Sequence, residues 1–319
     1  FADLDVMVIG KVVNEVSRSF DMYWNSSMAY PAQTIIKKRP TKEELKILEE
    51  ELVLFMEENQ TSDYMTALLN SDLSNKFRDG NVSYFWGDAD VVVDHPDKIS
   101  SSREATELHL MTQLSPYFDS IEKELIIISP YFVPGDEGVD FFKSLTDKGV
   151  RVKILTNSLS SNDVSIVHAG YAKYREDLLR NGVELYEMNK KLTRAQRKDK
   201  KGAGGSSKAS LHAKVFVLDR KQVFIGSLNL DPRSFYENSE IGLILNSKEI
   251  AESMATNFDR DIEKHTFTLE LMKHEDGYEE LLWHGYEDGN PVTFDVDPYT
   301  GFWRRFGVGF MGLLPIESQ

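Results

Sequence analysis

An α/β fold, with a mixed sheet flanked by helices, is predicted by three observations. Short apolar runs recur at 124–129 (ELIIIS), 150–156 (VRVKILT) and 183–188 (VELYEM). Stretches with helical apolar spacing separate these runs. Residues 211–219 (LHAKVFVLD) alternate with the period of two that marks a strand.

Taken in order, residues 8–26 read as a short strand end followed by a helix. Residues 41–79 read as helices, where Thr41 and Glu44 have the spacing of a capping box ahead of an apolar-rich run. From 81 onward strand and helix alternate. VSYFWGDADVVVD gives strand and loop, 103–120 a helix, ELIIIS a strand and 136–148 a helix; VRVKILT gives a strand, 163–181 a helix and VELYEM a strand. LHAKVFVLD leads through a tight turn into a second short strand, and Ile250, Met254 and Phe258 recur at helical spacing.

The chain has 319 residues, 41 % of them hydrophobic, and no cysteine. It can bury a substantial core, needs no disulfides and fits a reducing or disulfide-free setting. No run of about 20 apolar residues occurs, so no transmembrane helix is expected. The formal net charge of −15 argues against nucleic acid as a bulk electrostatic partner and gives no general attraction to anionic lipid. One segment runs the other way: 190–208 holds eight basic residues against one acidic and ends in a Gly/Ser-rich run. It reads as a basic loop at the mouth of a site, facing an anionic membrane surface, or simply as a solvated loop.

The chemistry concentrates in LHAKVFVLDRKQVFIGSLNLDPRSFYENSEIGLIL, residues 211–245. Period two puts His212 and Lys214 on one face of their strand. A neutral imidazole can attack phosphorus, and a neighbouring ammonium stabilises charge on the phosphoryl oxygens, so this chemistry needs neither metal nor cofactor. A lone H-x-K usually just decorates a strand surface. Here Gly226, Ser227 and Asn229 follow Asp219 at a distance that returns small hydroxyl and amide donors to His212, with room for a phosphate between them.

The pattern His212-x-Lys214-x4-Asp219, followed by Gly226-Ser227-x-Asn229, resembles the second signature motif of the phospholipase D superfamily. DPRSF with Asn238 and Glu240 narrows the resemblance to bacterial cardiolipin synthases. SPYFVP at 129–134, KGV at 148–150 and NGVELYE at 181–187 extend it, and the tail from WHGYEDG through FWRRF to LLPIES is most similar to the C-type enzymes.

The resemblance implies a phospholipase D-like sheet made of two fused units, each giving one histidine to a shared site. This chain contains one such motif, and the first is missing. His95, His109, His168, His265, His274 and His284 have no lysine two residues on and read as surface or packing residues. The opening residues align with the segment after the motif, Val12, Val16 and Phe20 falling on Ile250, Met254 and Phe258 and Asp3 on Glu240. The chain is therefore expected to begin just past the first motif. The expected organisation is 1–30 as a remnant of the first unit, 31–80 as a helical connecting arm, 81–265 as the second catalytic unit and 266–319 as a C-terminal tail.

By the same resemblance the catalytic set is His212, Lys214, Asp219, Ser227, Asn229, Glu240 and Asp3. The acidic residue of each half orients the opposite half's histidine, so Asp3 serves His212 and Glu240 the missing one; the competing reading of Asp3 is a solvated terminal carboxylate. Gly226 and Arg233 are expected at the substrate. Tyr131 stands after the apolar strand LIIIS, where open α/β sheets place ligand crevices, and is expected to shape a head-group pocket. Asp163 sits at a similar edge and is read preferentially as the N-cap of the next helix. In the tail, FWRRFGVGFMGLLP reads either as a lipid-interface segment with Arg304 and Arg305 toward head groups or as packing against the arm or the missing half.

The implied activity is transfer of a phosphatidyl group through a phosphohistidine, with a phosphatidylglycerol acceptor giving cardiolipin. The alternatives are a phospholipase D hydrolase, a superfamily nuclease and an inactive membrane or partner adaptor. Phospholipid, a membrane surface, and the missing half or a second copy are the implied partners, with no nucleic acid. The implied location is peripheral, at the cytoplasmic face of a bacterial inner membrane.

Overall fold

A computed structural model describes residues 3–37, 39–191 and 210–312. Most of segment 190–208 lies outside these residues, as does the end of the tail from 313.

Helix α1 spans Val12–Trp24, and four helices follow: α2 Ala32–Ile35, α3 Lys42–Asn59, α4 Asp63–Leu69 and α5 Asp72–Arg78. Thr41 and Glu44 close the expected capping box on α3, whose apolar side chains are exposed along its length. Then come β1 Asp88–Val93, α6 Leu110–Asp119, β2 Glu124–Ile128, α7 Gly135–Asp147 and β3 Arg151–Asn157. Next are α8 Ser165–Ala172, α9 Arg175–Arg180, β4 Glu184–Met188, β5 Val215–Leu218, β6 Gln222–Gly226, α10 Pro232–Tyr236, β7 Ile241–Asn246 and α11 Lys248–His265. The described chain closes with β8 Thr266–Lys273, β9 Glu279–Glu287, β10 Asn290–Phe294 and α12 Phe302–Met311.

Among the described residues the strands form one mixed sheet in the order β1-β7-β6-β5-β2-β3-β4-β8-β9-β10. Strands β2, β3 and β4 run parallel, and β5 pairs antiparallel with β2. The run Leu125-Ile126-Ile127 is fully buried because helices cover both faces, which is why β2 reads as continuous apolar sequence. Each such side chain contributes roughly 1.5–3 kcal/mol relative to exposure. One face packs α6, α7 and α9 through Leu114, Phe118, Phe142 and Leu178. The other packs α11 through Ala251, Ala255, Phe258 and Ile262, a helical stripe, together with Val12 of α1.

Four expectations change. Residues 3–9 form no strand; no described strand pairs with them, and a strand needs a neighbour for its backbone hydrogen bonds. The helix expected over 163–181 is broken into α8 and α9. The sheet runs straight through 265, because β8 pairs with β4 and β9 and β10 follow as hairpins. Within 302–311 the arginines turn inward: Arg304 donates to the Asn162 carbonyl at 2.9 Å and Arg305 to the Thr300 carbonyl, while Phe302, Trp303, Phe306 and Phe310 stay exposed. Val308 is buried with Leu159 and Ala169, docking α12 on α8.

Candidate active site

The motif residues gather at the edge of the sheet where β2 and β3 end and β5 begins. His212 and Lys214 lie just ahead of β5. Leu211 and Ala213 are buried on the α11 face, which turns the two alternate side chains to the other side, as period two requires. Lys214 is 9 % exposed, and its ammonium donates to the His212 carbonyl at 2.7 Å. Burial lowers the Lys214 pKa, opposed by the charges of Asp3 and Glu240.

Asp3 Oδ2 lies 2.8 Å from His212 Nδ1. This hydrogen bond, seconded by the Leu4 amide and the Lys214 charge and opposed by slight burial, lowers the Asp3 pKa and keeps it a carboxylate. A carboxylate accepts only, so Nδ1 carries a proton, and in the neutral ring the lone pair then belongs to Nε2.

Across the same edge, Ser227 Oγ donates to Glu240 Oε2, and Asn238 donates to Oε1 at 3.2 Å. Ser227 therefore holds Glu240. Asn229 is 9 % exposed, and its Oδ1 has no hydrogen-bond partner, a buried acceptor available to a ligand donor. Gly226 is required by packing: a Cβ there would meet the Ile241 carbonyl oxygen at 2.5 Å and the Phe224 ring at 2.7 Å.

The remaining expected site residues are Asp219, Arg233 and Tyr131. Asp219 sits seven positions beyond His212, on the order of 20 Å along an extended chain. Its carboxylate accepts from the amides of Glu122, Lys123 and Glu124 at 3.0, 2.8 and 3.0 Å. It brackets the β5–β6 turn onto the start of β2, as a structural residue outside the cleft. Arg233 is on α10 with its side chain 71 % exposed, near Glu237. Tyr131 donates to Asp163 at 2.8 Å, and burial followed by that carboxylate pushes its phenol up to about 12. Asp163 thus holds Tyr131 and caps no helix; α8 has Val164 at its N-cap and no side-chain cap.

Sequence reasoning missed the support beneath Glu240. Asp94, fully buried, accepts from the Glu240 amide at 2.9 Å and from Lys98 at 2.7 Å. The Asp94 amide donates to the Glu240 carbonyl at 3.0 Å. Tyr23 of α1 donates to the Asp94 carbonyl at 2.7 Å, tying the opening helix to this support. The available signal was a lysine four residues after the aspartate that ends VVVD. On the α6–α7 face, Phe132 and Leu230, bridged to each other, wall a cavity of about 570 Å³ that also meets Phe118, Phe142 and Phe235; His212, Lys214, Ser227, Asn229 and Glu240 do not line it.

A family model described as cardiolipin synthase, PLD-like domain, matches residues 114–262. Cardiolipin synthase C of Escherichia coli (strain K12) is 35 % identical over 99 % of this chain and 66 % of its own length. A Helicobacter pylori protein (strain ATCC 700392 / 26695) is 28 % identical over 99 % of this chain and 60 % of its own length. The chain thus spans less than two thirds of these relatives. Among solved structures, phosphatidylserine synthase of Haemophilus influenzae Rd KW20 aligns over 80 % of this chain and 54 % of that one, with TM-score 0.46 and 14 % identity.

Proposed function

Because the chain belongs to the phospholipase D superfamily, through a phospholipase D-like domain of cardiolipin synthase type, we propose that it supplies one of the two histidines of a phosphatidyl-transfer site. The observation that carries this reading is the Asp3–His212 contact, which orients the imidazole through Nδ1.

In the first step one histidine attacks the phosphodiester phosphorus. A P–N bond forms, the P–O bond to the leaving alcohol breaks, and the second histidine gives that alcohol its proton. In the second step an incoming hydroxyl passes its proton to the second histidine and attacks phosphorus, and the P–N bond breaks. Two displacements retain configuration. His212 takes one of these two parts, and Lys214 together with the Asn229 amide meets the phosphoryl oxygens. A phosphatidylglycerol hydroxyl as acceptor gives cardiolipin. Glu240, held by Ser227 and Asn238, orients the other histidine, which a first unit or a second copy of the chain brings. The enzyme works peripherally on the cytoplasmic face of the bacterial inner membrane, the exposed aromatic face of α12 meeting lipid; no described helix is long and apolar enough to cross a membrane.

The test is to incubate the chain with phosphatidylglycerol vesicles, alone and with a first unit carrying its own H-x-K motif, and to identify products by mass spectrometry. Cardiolipin formed in the combined sample and lost in His212→Ala is the expected result. Phosphatidic acid alone would indicate water as acceptor, and no phosphatidyl product in any combination would overturn the proposal.

A further inference from the structure

We infer that Asn157, at the C-terminal end of β3, is a positioning residue for His212; this rests on the transfer reading above only for its effect on turnover.

The β5 ladder with β2 ends at the pair Val215 and Ile128, so His212 lies beyond it. Strand β3 is not a neighbour of β5, since β2 stands between them. Asn157 bridges that gap at the sheet edge. Its Oδ1 accepts from the Leu211 amide at 3.0 Å, and its Nδ2 donates to the Leu211 carbonyl at 3.1 Å. A side-chain amide carries one carbonyl and one N–H₂ group, so it reproduces for Leu211 the paired bonds of a ladder. The residue so held directly precedes His212.

The clamp is itself held. Ser161 Oγ donates to Asn157 Oδ1 at 3.1 Å, and Nδ2 also donates to the Pro130 carbonyl at 3.3 Å. These partners fix which end of the amide is oxygen. Asn157 is 2 % exposed and Leu211 4 % exposed, so neither can exchange these bonds for water. The His212 side chain, in contrast, is 60 % exposed. The place of the imidazole therefore depends on the backbone carrying it as well as on Asp3. Asn157 fixes that backbone, and Asp3 then selects the tautomer.

Asn157→Leu keeps the four-atom side chain branched at Cγ and removes all four bonds. Two readouts separate positioning from general stability. In the 319-residue chain labelled with ¹⁵N-histidine, His212 should show an Nδ1-protonated ring; Asn157→Leu should average the two tautomers there while the other histidine signals stay in place. In the protein completed by a first unit, kcat should fall about a hundredfold with KM within about twofold, the signature of a displaced reacting group. An unchanged tautomer with kcat within about twofold would overturn the inference. A changed tautomer in a chain that transfers no phosphatidyl group in any assembly would uphold the clamp and remove the transfer reading. Should Asn157→Leu fail to fold, hydrogen exchange on the wild-type chain decides: a protected Leu211 amide supports the clamp, and exchange at the unprotected rate overturns it.

Discussion

The carboxylate of Asp3 and the imidazole of His212 are 209 positions apart in sequence and 2.8 Å apart in space. No strand carries Asp3 to this place. It arrives on an irregular segment ahead of α1, a helix tied to the sheet by Val12 in the core and by Tyr23 on the Asp94 carbonyl.

Asp3→Asn replaces an acceptor-only group with an amide that can also donate, releasing the choice of tautomer. Turnover in the completed enzyme should fall about a hundredfold or more, while the melting temperature stays nearly constant. Steady-state rates on phosphatidylglycerol vesicles check this. A rate within about twofold of wild type would return Asp3 to an ordinary surface carboxylate and make Asp5 the residue to examine.

Asp219→Ala should behave in the opposite way. It strands the amides of Glu122, Lys123 and Glu124, which share one carboxylate, and should cost about 1–3 kcal/mol of stability by urea titration. The folded fraction should keep its turnover. A specific loss of kcat at unchanged stability would place Asp219 in the chemistry after all.

Lys98→Met leaves Asp94 charged, buried and without its ammonium, and should cost about 3–5 kcal/mol. The double variant Asp94→Asn with Lys98→Met should be less damaging than the sum of the single changes. Additive losses would mean that the pair is not coupled.

His168 gives a pH prediction. Burial, followed by the Arg175 guanidinium that donates to Nε2, pushes its imidazole down to about 4, although Asp297 pulls the other way. Below the ordinary value of 6.5 the unfolded chain binds a proton that the folded chain refuses. Stability from this site is therefore present above about 6.5 and lost as pH falls toward about 4. His168→Gln should cost about 1–3 kcal/mol at pH 7 and flatten the decline between pH 6.5 and 4. Urea midpoints across that range decide it, and parallel curves for the two proteins would refute the assignment.

Local alternation made β5 legible, although the strand begins only at Val215 and leaves His212 and Lys214 ahead of it, and the repeat between the opening residues and the segment after the motif placed Asp3 opposite Glu240. What failed was distance along a strand. The resemblance puts Asp219 in one site with His212, yet each extended residue carries it about 3.3 Å farther away. Asn157, Asp94 and Lys98 escaped because their roles are bonds to backbone groups remote in sequence, which no periodicity encodes. Strands β8 to β10 were readable. TFTLEL alternates, and Asp288 and Gly289, with φ of 50° and 86°, form the left-handed turn that a two-residue hairpin requires.

The central claim is that His212 is one of two histidines acting on the phosphodiester. It is tested most directly by His212→Ala in the completed enzyme, with cardiolipin formation from phosphatidylglycerol vesicles measured by mass spectrometry and folding checked by thermal melting. Transfer should fall to about a thousandth of wild type or below with the melting temperature preserved. Activity above about a tenth of wild type, where loss of a triad-type catalytic group costs orders of magnitude more, would contradict the account.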